Sequence, residues 1–418
     1  MSNNDVVITG LGATTPLGGD VESTWEGLLA GTSGVRRITA DWIDQYDLPV
    51  RLGASLAEEP TERIPRVQAR RLDRCEQVAL IAARQAWADA GFTEPADDSE
   101  AAADVEPERL GVSIGSGIGG PVTLLDQDDL LEKHGIRKVS PLTVPMLMPN
   151  GPAAHVGIAL KARAGVHSPA SACASGAEGI ADAYQMIQSG RADVVIAGGA
   201  EACIHPITIA GFAQARTVST RNDEPDRASR PFDTDRDGFV LGEGAGTVIL
   251  ERADHARARG AKIYGHLSGF GITSDAHHIT GNHPDGIGQI AAMRHAIQMA
   301  GLTAADVTHV NAHATSTVVG DVGESAAIRS AIGDHPVVTA PKGALGHLVG
   351  GAGAVEAIST ILALYHGIVP HTLNLEELDP KVQLDVVSGE PRKGSFEAGI
   401  SNSFGFGGHN TALLFTAP

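Results

Sequence analysis

Cysteine is scarce: Cys75, Cys173 and Cys203 are the only three in 418 residues. Their odd number and the absence of metal-ligand spacing argue against a disulfide framework, so at least one thiol is free. Also missing is any apolar run of the roughly 18 to 20 residues that a bilayer span requires. The opening MSNNDVVITG has no basic stretch leading into an apolar core, so no secretory leader is expected and a cytoplasmic protein is. Basic residues are few, 31 against 50 acidic, and the formal net charge of −19 disfavours nucleic acid or an anionic membrane as the main partner. No linker stands out either. The 51 glycines are scattered among apolar segments, and 42 % hydrophobic against 19 % charged residues is the composition of a globular chain long enough for two or three domains.

Against that acidic background, Arg63, Arg66, Arg70, Arg71 and Arg74 crowd into one short stretch, and Lys133, Arg137 and Lys138 form a second cluster. Such runs are either solvated faces or a dock for an acidic partner. Val6-Val7-Ile8 reads as a buried strand running into a glycine turn at Gly10 and Gly12. Cys75, Val78, Ala79, Ala82 and Ala86 fall on one helix face closed by Gly91, followed by a strand from Leu110 to Ile114. Ile290, Met293, Ile297 and Ala300 repeat this, closed by Gly301, before a strand around Val307 to Val310. The segments Ala86–Phe92 (AWADAGF) and Ala296–Leu302 (AIQMAGL) correspond, as do the small-residue helix after Cys173 and the segment Gly350 to Leu364. The pattern suggests a duplicated α/β unit with halves meeting near Arg259-Gly260-Ala261. The acidic stretch Pro95 to Glu108 is expected to be a solvent loop of the first half only.

Gly115-Ser-Gly-Ile-Gly-Gly120 matches G-x-G-x-x-G after a strand and opens a nicotinamide-dependent reading. The following PVTLLDQDDLLEKHG gives no clean crossover helix, so close backbone packing is the preferred explanation. Ser171-Ala-Cys-Ala-Ser-Gly176 carries more. A thiol in the first turn of a buried helix feels the positive end of the helix dipole and can be held as thiolate below its usual pKa of about 8.5. The alternative for Cys173 is a small buried hydrophobe, the reading preferred for Cys75 and Cys203. Two histidines complete a constellation: His313 leaves the strand His309-Val-Asn-Ala-His313, and His347 ends Lys342-Gly-Ala-Leu-Gly-His347. Asn402-Ser-Phe-Gly-Phe-Gly-Gly408 adds a mobile turn.

These motifs, together with NAHATSTVVGD from Asn311, NSFGFGGHN from Asn402 and the long signature from Ser219 to Gly246, resemble those of the β-ketoacyl-acyl-carrier-protein synthases, most closely type II, over essentially the whole chain. The resemblance implies an α/β thiolase fold, a five-layered αβαβα body of two pseudo-symmetric halves, here 1–260 with the cysteine and 261–418 with the histidines. It implies a homodimer and a decarboxylative condensation of malonyl-carrier protein with an acyl group on Cys173.

In that scheme the backbone N–H groups of Cys173 and Phe406 hold the oxyanion, and His313 and His347 donate to the malonyl thioester carbonyl. Lys342 is an organiser paired with Glu324, Asp321 or Glu356. Thr280, Thr315 and Thr317 match contacts to the pantetheine arm, Ile118 a side chain that swings to admit acyl chains, Phe406 the gate beside the cysteine, and Phe404 a further substrate-binding residue. Thr143 replaces a phenylalanine that in long-chain members reaches across the dimer, a departure that reshapes the far end of the acyl pocket. Ala314 and His409 replace the commoner Gly and Thr. The acidic partner implied is an acyl-carrier protein, with Arg63, Arg66, Arg70, Arg71, Lys133, Arg137, Lys138 and Arg216 as its docking face. No cofactor is required; Asn311, Glu356, Ser401 and Asn402 match the ligands of a structural cation in some relatives. His277, His278 and His283 with Asp275 are too irregularly spaced for catalytic zinc. Rival readings are a polyketide ketosynthase, a type I or very-long-chain condensing enzyme, a non-catalytic chain-length-factor subunit lacking the cysteine, and a nicotinamide-dependent oxidoreductase.

Overall fold

The computed structural model describes residues 5–95 and 105–418; the acidic stretch beginning at Pro95 falls largely outside them. Eleven strands form one connected sheet: β1 (Val6–Thr14), β2 (Leu110–Gly115), β3 (Gly165–His167), β4 (Val194–Glu201), β5 (Gly244–Arg252), β6 (Gly265–Ser274), β7 (His309–Asn311), β8 (Val337–Thr339), β9 (Asp385–Val386), β10 (Ala398–Gly405) and β11 (His409–Thr416). Their spatial order is β9-β8-β7-β10-β11-β6-β1-β5-β4-β2-β3. Reading outward from the centre, β6-β11-β10-β7-β8 repeats β1-β5-β4-β2-β3 with the same directions: two antiparallel pairings, then two parallel ones. β9 is an addition to the second half. The halves join through a brief antiparallel contact, Val7 opposite His266 and Ile8 opposite Gly265.

Helices fill three layers around these half-sheets. On the outside of the first lie α1 (Arg74–Asp89), in contact with β1 and β5, and α3 (Gly151–Leu160); between them in sequence, α2 (Pro121–His134) stays at the surface. α4 (Ser175–Gln188) and α7 (Ala352–His366) touch each other and strands of both half-sheets, which makes them the middle layer. α5 (Ile287–Met299) covers β6 and β11, with α6 (Val318–Ala331) beside it. The five αβαβα layers and the paired halves expected of the sequence are thus present. The middle core mixes residues of both halves, including Ile8, Ile180, Val248, Leu345, Ile358 and Leu413. Each such aliphatic side chain contributes on the order of 1.5–3 kcal/mol when buried.

The duplication extends to contact detail. Gly10 and Gly12 are not a turn, as their composition suggested, but lie within the continuous strand β1. They are glycines because α1 passes so close: a Cβ on Gly12 would sit 2.0 Å from the Ala82 carbonyl oxygen, and one on Gly10 2.1 Å from that of Ala86. In the second half a Cβ on Gly271 would sit 2.0 Å from the Ala292 oxygen, and one on Gly269 2.2 Å from that of Ala296. The helix ends also repeat, with Gly91 and Gly301 left-handed at φ 81° and 69°.

The segment after the glycine motif is a helix after all, α2, but only its Thr123 is buried, so it is no crossover packed on the sheet. Gly12→Val would force a branched side chain against the α1 backbone. It is expected to destabilise the protein by about 3 kcal/mol or more, read as a lowered denaturant midpoint; a loss under about 0.5 kcal/mol would contradict the packing account.

Candidate active site

The two middle-layer helices approach at their N-terminal ends because both begin with small residues. A Cβ on Gly176 would meet the Gly350 oxygen at 2.7 Å, and one on Gly353 would meet the Ala177 nitrogen at 3.0 Å. Whatever stands just before each helix is therefore brought face to face. Before α4 that is Cys173, in the 3-10 turn Ala172–Ala174, entered through Ala172 at φ 51°. Before α7 it is His347, two residues ahead of Val349 at φ 47°. His347 Nε2 lies 3.0 Å from Cys173 Sγ.

His313 enters from β7. The chain that follows it is fixed by acids of α6 reaching back: Glu324 accepts the N–H of His313 at 2.8 Å and of Ala314 at 2.6 Å, and Asp321 accepts that of Ser316 at 3.1 Å. Asp321 also accepts the Phe232 N–H and lies 3.5 Å from Arg236, so the Ser219–Gly246 segment braces this loop. The His313 and His347 rings are nearly perpendicular, with centroids 5.4 Å apart.

Lys342, 1 % exposed, lies with Nζ 3.3 Å from His313 Nδ1 and forms an ion pair with Glu356. Of the three candidate carboxylates only Glu356 is its partner; Glu324 and Asp321 are occupied by backbone N–H groups. An ammonium only donates, so His313 Nδ1 is the acceptor and the ring proton resides on Nε2. Burial, then Lys342, then His347 hold His313 well below the ordinary histidine pKa, and burial followed by Lys342 does the same for His347. Both imidazoles are neutral near pH 7.

Cys173 departs from its sequence expectation. It precedes α4 rather than lying in its first turn, and burial pushes its thiol up to about 11, although Lys342 and the N–H groups of Phe406 and Cys173 pull it down. Desolvation outweighs the helix terminus. The resting group is a thiol with a neutral imidazole in proton-transfer reach. Cys75 and Cys203 are wholly buried with thiols raised further, as core fillers should be.

Cys173, His313 and His347 are, among the described residues, the one His/Cys/acid trio whose ligand atoms all lie within 4.8 Å. The proton forced onto His313 Nε2 removes the lone pair a metal would use, so the trio suits hydrogen bonding and proton transfer. The His277–His283 loop does not converge: Asp275 accepts from His283 N–H and Asn410, and His278 accepts from the N–H groups of Thr280 and Gly281.

A cavity of ≈ 520 Å³ opens over Cys173 and both histidines. Phe404, Phe406 and Ile118 line it, as do Thr280, Thr315, Thr317 and Arg216. Thr143 does not line this chain's own cavity; its hydroxyl donates to the Ser140 carbonyl at 2.7 Å. Arg66, Arg70, Arg71, Arg137, Lys138 and Arg216 are exposed and in no ion pair among the described residues, whereas Arg63 pairs with Glu58 and Lys133 with Asp129. The 406–408 turn is tied down by Gly407 N–H to the Ile279 oxygen and by Asp275 N–H to the Gly408 oxygen.

Residues 3–256 match the family described as Beta-ketoacyl synthase, N-terminal domain, and residues 264–376 its C-terminal domain. The chain belongs to the beta-ketoacyl synthase family. Relatives in this family include a protein of Mycobacterium tuberculosis named 3-oxoacyl-[acyl-carrier-protein] synthase 2, 49 % identical over 412 residues that cover 98 % of this chain and 96 % of that one. One of the same name from Staphylococcus aureus is 43 % identical, covering 99 % and 98 %. Among solved structures, a beta-ketoacyl synthase from Burkholderia phymatum superposes with a TM-score of 0.90 at 38 % identity, covering 99 % of both chains. The ishigamide ketosynthase/chain length factor does so at 0.89 and 31 %, again over 99 % of both. No helix among the described residues is long and apolar enough to cross a membrane.

Asn311 Oδ1, Glu356 Oε2, Ser401 Oγ and Asn402 Oδ1 are among the buried oxygens of the described residues that lack a hydrogen-bond partner. Asn311 and Ser401 are register partners on β7 and β10. Oxygen donors left in this way fit a hard cation, so the residues matched to a structural cation suit one. Motif reading missed Phe239, whose ring stands edge-on to His347 at 5.4 Å, and Glu201. The one available signal for Glu201 was an acid ending an otherwise apolar strand, VVIAGGAE.

Alkylation of Cys173 by iodoacetamide, followed by mass, is expected to accelerate continuously from about pH 6 to about pH 10, with Lys342→Met shifting the curve upward. A plateau near neutrality would mean a resting thiolate.

Proposed function

We propose that the protein is a β-ketoacyl-acyl-carrier-protein synthase of the elongating type, an acyltransferase that extends an acyl chain by decarboxylative condensation in fatty-acid biosynthesis. The observation that carries this reading is the convergence of Cys173, His313 and His347 within 4.8 Å at the floor of a cavity. Cys173 Sγ attacks the acyl thioester of a carrier protein, and the thiol proton passes to the carrier sulfur. The oxyanion is held by the N–H groups of Cys173 and Phe406, and the carrier thiol departs with the proton. The carbonyl oxygen of a malonyl thioester then accepts from His313 Nε2–H, with His347 as second donor. Cleavage of the bond to the carboxylate releases CO2 and leaves its electron pair in the enolate, whose carbon attacks the acyl-Cys173 carbonyl and frees the thiolate, which takes a proton from water.

Thr280, Thr315 and Thr317 hold the pantetheine arm, Phe404 packs against His313, and Ile118 with Phe406 gates the acyl channel. Residues 1–260 form the half with the nucleophile and 261–418 the half with the histidines. The chemistry needs no redox cofactor. A structural cation held by Asn311, Glu356, Ser401 and Asn402 would supply positive charge to the free Glu356 oxygen and fix the end of β7 against the middle of β10. The protein acts in the cytoplasm as a homodimer, for which the open edge strand β3 with exposed Val166 is available. A second reading, polyketide extension with the same chemistry, is favoured by the 31 % identity to the ishigamide ketosynthase/chain length factor. Presence of the cysteine and both histidines weighs against a non-catalytic subunit. Against an oxidoreductase, the glycine-motif N–H groups of Gly117 and Ile118 are already bound to Glu201.

Condensation assays with malonyl- and acyl-carrier proteins of graded length, analysed by mass, are expected to give β-ketoacyl products and a transient acyl adduct on the wild-type chain. Cys173→Ala should form none, and His313→Ala should lose about 10²–10³-fold in turnover. An acyl adduct persisting in Cys173→Ala would refute the assignment. Charge reversal at Arg66 and Arg70 should raise KM for carrier-bound substrates and spare small thioester analogues; equal loss on both would remove the docking face.

A further inference from the structure

Glu201 ends β4 with no exposed surface, and no basic side chain among the described residues pairs with it. A buried carboxylate is costly unless hydrogen bonds satisfy it, and Glu201 is met only by donors from two loops. From the gate loop come Ser116 Oγ at 3.0 Å and the N–H groups of Gly117 at 2.8 Å and Ile118 at 3.2 Å. From the far side comes the N–H of Gly350 at 3.2 Å, the residue after Val349 at φ 47° and three after His347.

The loops touch around this carboxylate. A Cβ on Gly350 would meet the Gly117 nitrogen at 2.5 Å, and one on Gly117 would meet Glu201 Oε2 at 2.9 Å and Ala172 O at 3.3 Å. One side chain therefore lies under the gate, under the backbone entering Cys173 and under the strained turn after His347. A left-handed β-branched residue persists only where neighbouring bonds over-determine it, and the Gly350–Glu201 bond is one of them.

We infer that Glu201 is the positioning residue that couples the Ile118 gate to the His347 loop, so that it sets which acyl chains enter as well as where the histidine stands. This rests on the proposed roles of Ile118 and His347. A gate movement that carries the Ile118 backbone with it lengthens or breaks the bonds from Gly117 and Ile118 to Glu201. A chain short enough to fit with the gate closed does not incur that cost.

The test uses full-length Glu201→Gln and Ser116→Ala, compared with wild type in acylation of Cys173 by butanoyl and dodecanoyl thioesters and in condensation. Glutamine keeps the shape but turns an amide N–H2 toward N–H donors. It is expected to raise the dodecanoyl-to-butanoyl acylation ratio by about tenfold, and to lower condensation kcat by about tenfold with the malonyl KM little changed. Ser116→Ala loosens the gate side alone, so the ratio should rise while condensation kcat stays within about twofold. An unchanged ratio in either variant, or a Ser116→Ala condensation loss as large as that of Glu201→Gln, overturns the coupling. If Glu201→Gln does not fold, the Ser116→Ala ratio decides alone. Wild type that never acylates Cys173 would instead refute the proposed function.

Discussion

The arrangement of the site depends on one contact, the Lys342 ammonium against His313 Nδ1. It fixes the tautomer, turns Nε2–H toward the cavity and, with burial, keeps both imidazoles uncharged. Burying a lysine is costly unless it is paired, and here Glu356 is the counter-ion while Glu356 itself is pushed up to about 7 by burial. The remaining Glu356 oxygen, like those of Asn311, Ser401 and Asn402, is unpartnered. The acids Glu324 and Asp321, the other carboxylates considered for Lys342, hold the backbone of the His313 loop instead. Charge, tautomer and loop geometry thus belong to one buried network, in which removal of a single member leaves others unsatisfied.

Around this network the fold does one further thing: it brings two helix starts together. The duplicated unit places α4 and α7 in the middle layer, and their small N-terminal residues permit backbone approach, which sets Cys173 opposite His347 although 174 residues separate them. The same repetition appears in the paired glycines of β1 and β6, which are sites of close helix approach in both halves. Glycine in this chain marks contact more than turning.

Much of this was legible in the sequence. The alternation of apolar strands with Ala-rich helices, and the correspondence of Ala86–Phe92 with Ala296–Leu302, indicated a repeated unit, because the same packing against a glycine-bearing strand leaves the same small residues on both helices. The cysteine and both histidines were visible from their positions at strand ends and helix starts. Four features were not. Gly10 and Gly12 looked like a turn, since composition alone does not distinguish a bend from a close helix crossing. The helix Pro121–His134 was missed because Thr123 is its only buried residue and it lacks an apolar face. The ionisation of Cys173 was misjudged because a helix terminus is local in sequence, whereas the burial that opposes it comes from packing of segments distant along the chain, Gly405 and His347 among them. Glu201 escaped notice for a related reason: its partners are backbone N–H groups, which leave no motif.

The central claim is that Lys342 holds His313 as the neutral Nε2–H tautomer. It is tested most directly by nitrogen-15 NMR of histidine-labelled, full-length protein across a pH series. The account predicts a His313 signal protonated at Nε2 and uncharged well below about pH 6.5, where exposed histidines take up a proton. A His313 carrying its proton on Nδ1, or titrating with the exposed histidines, would contradict it.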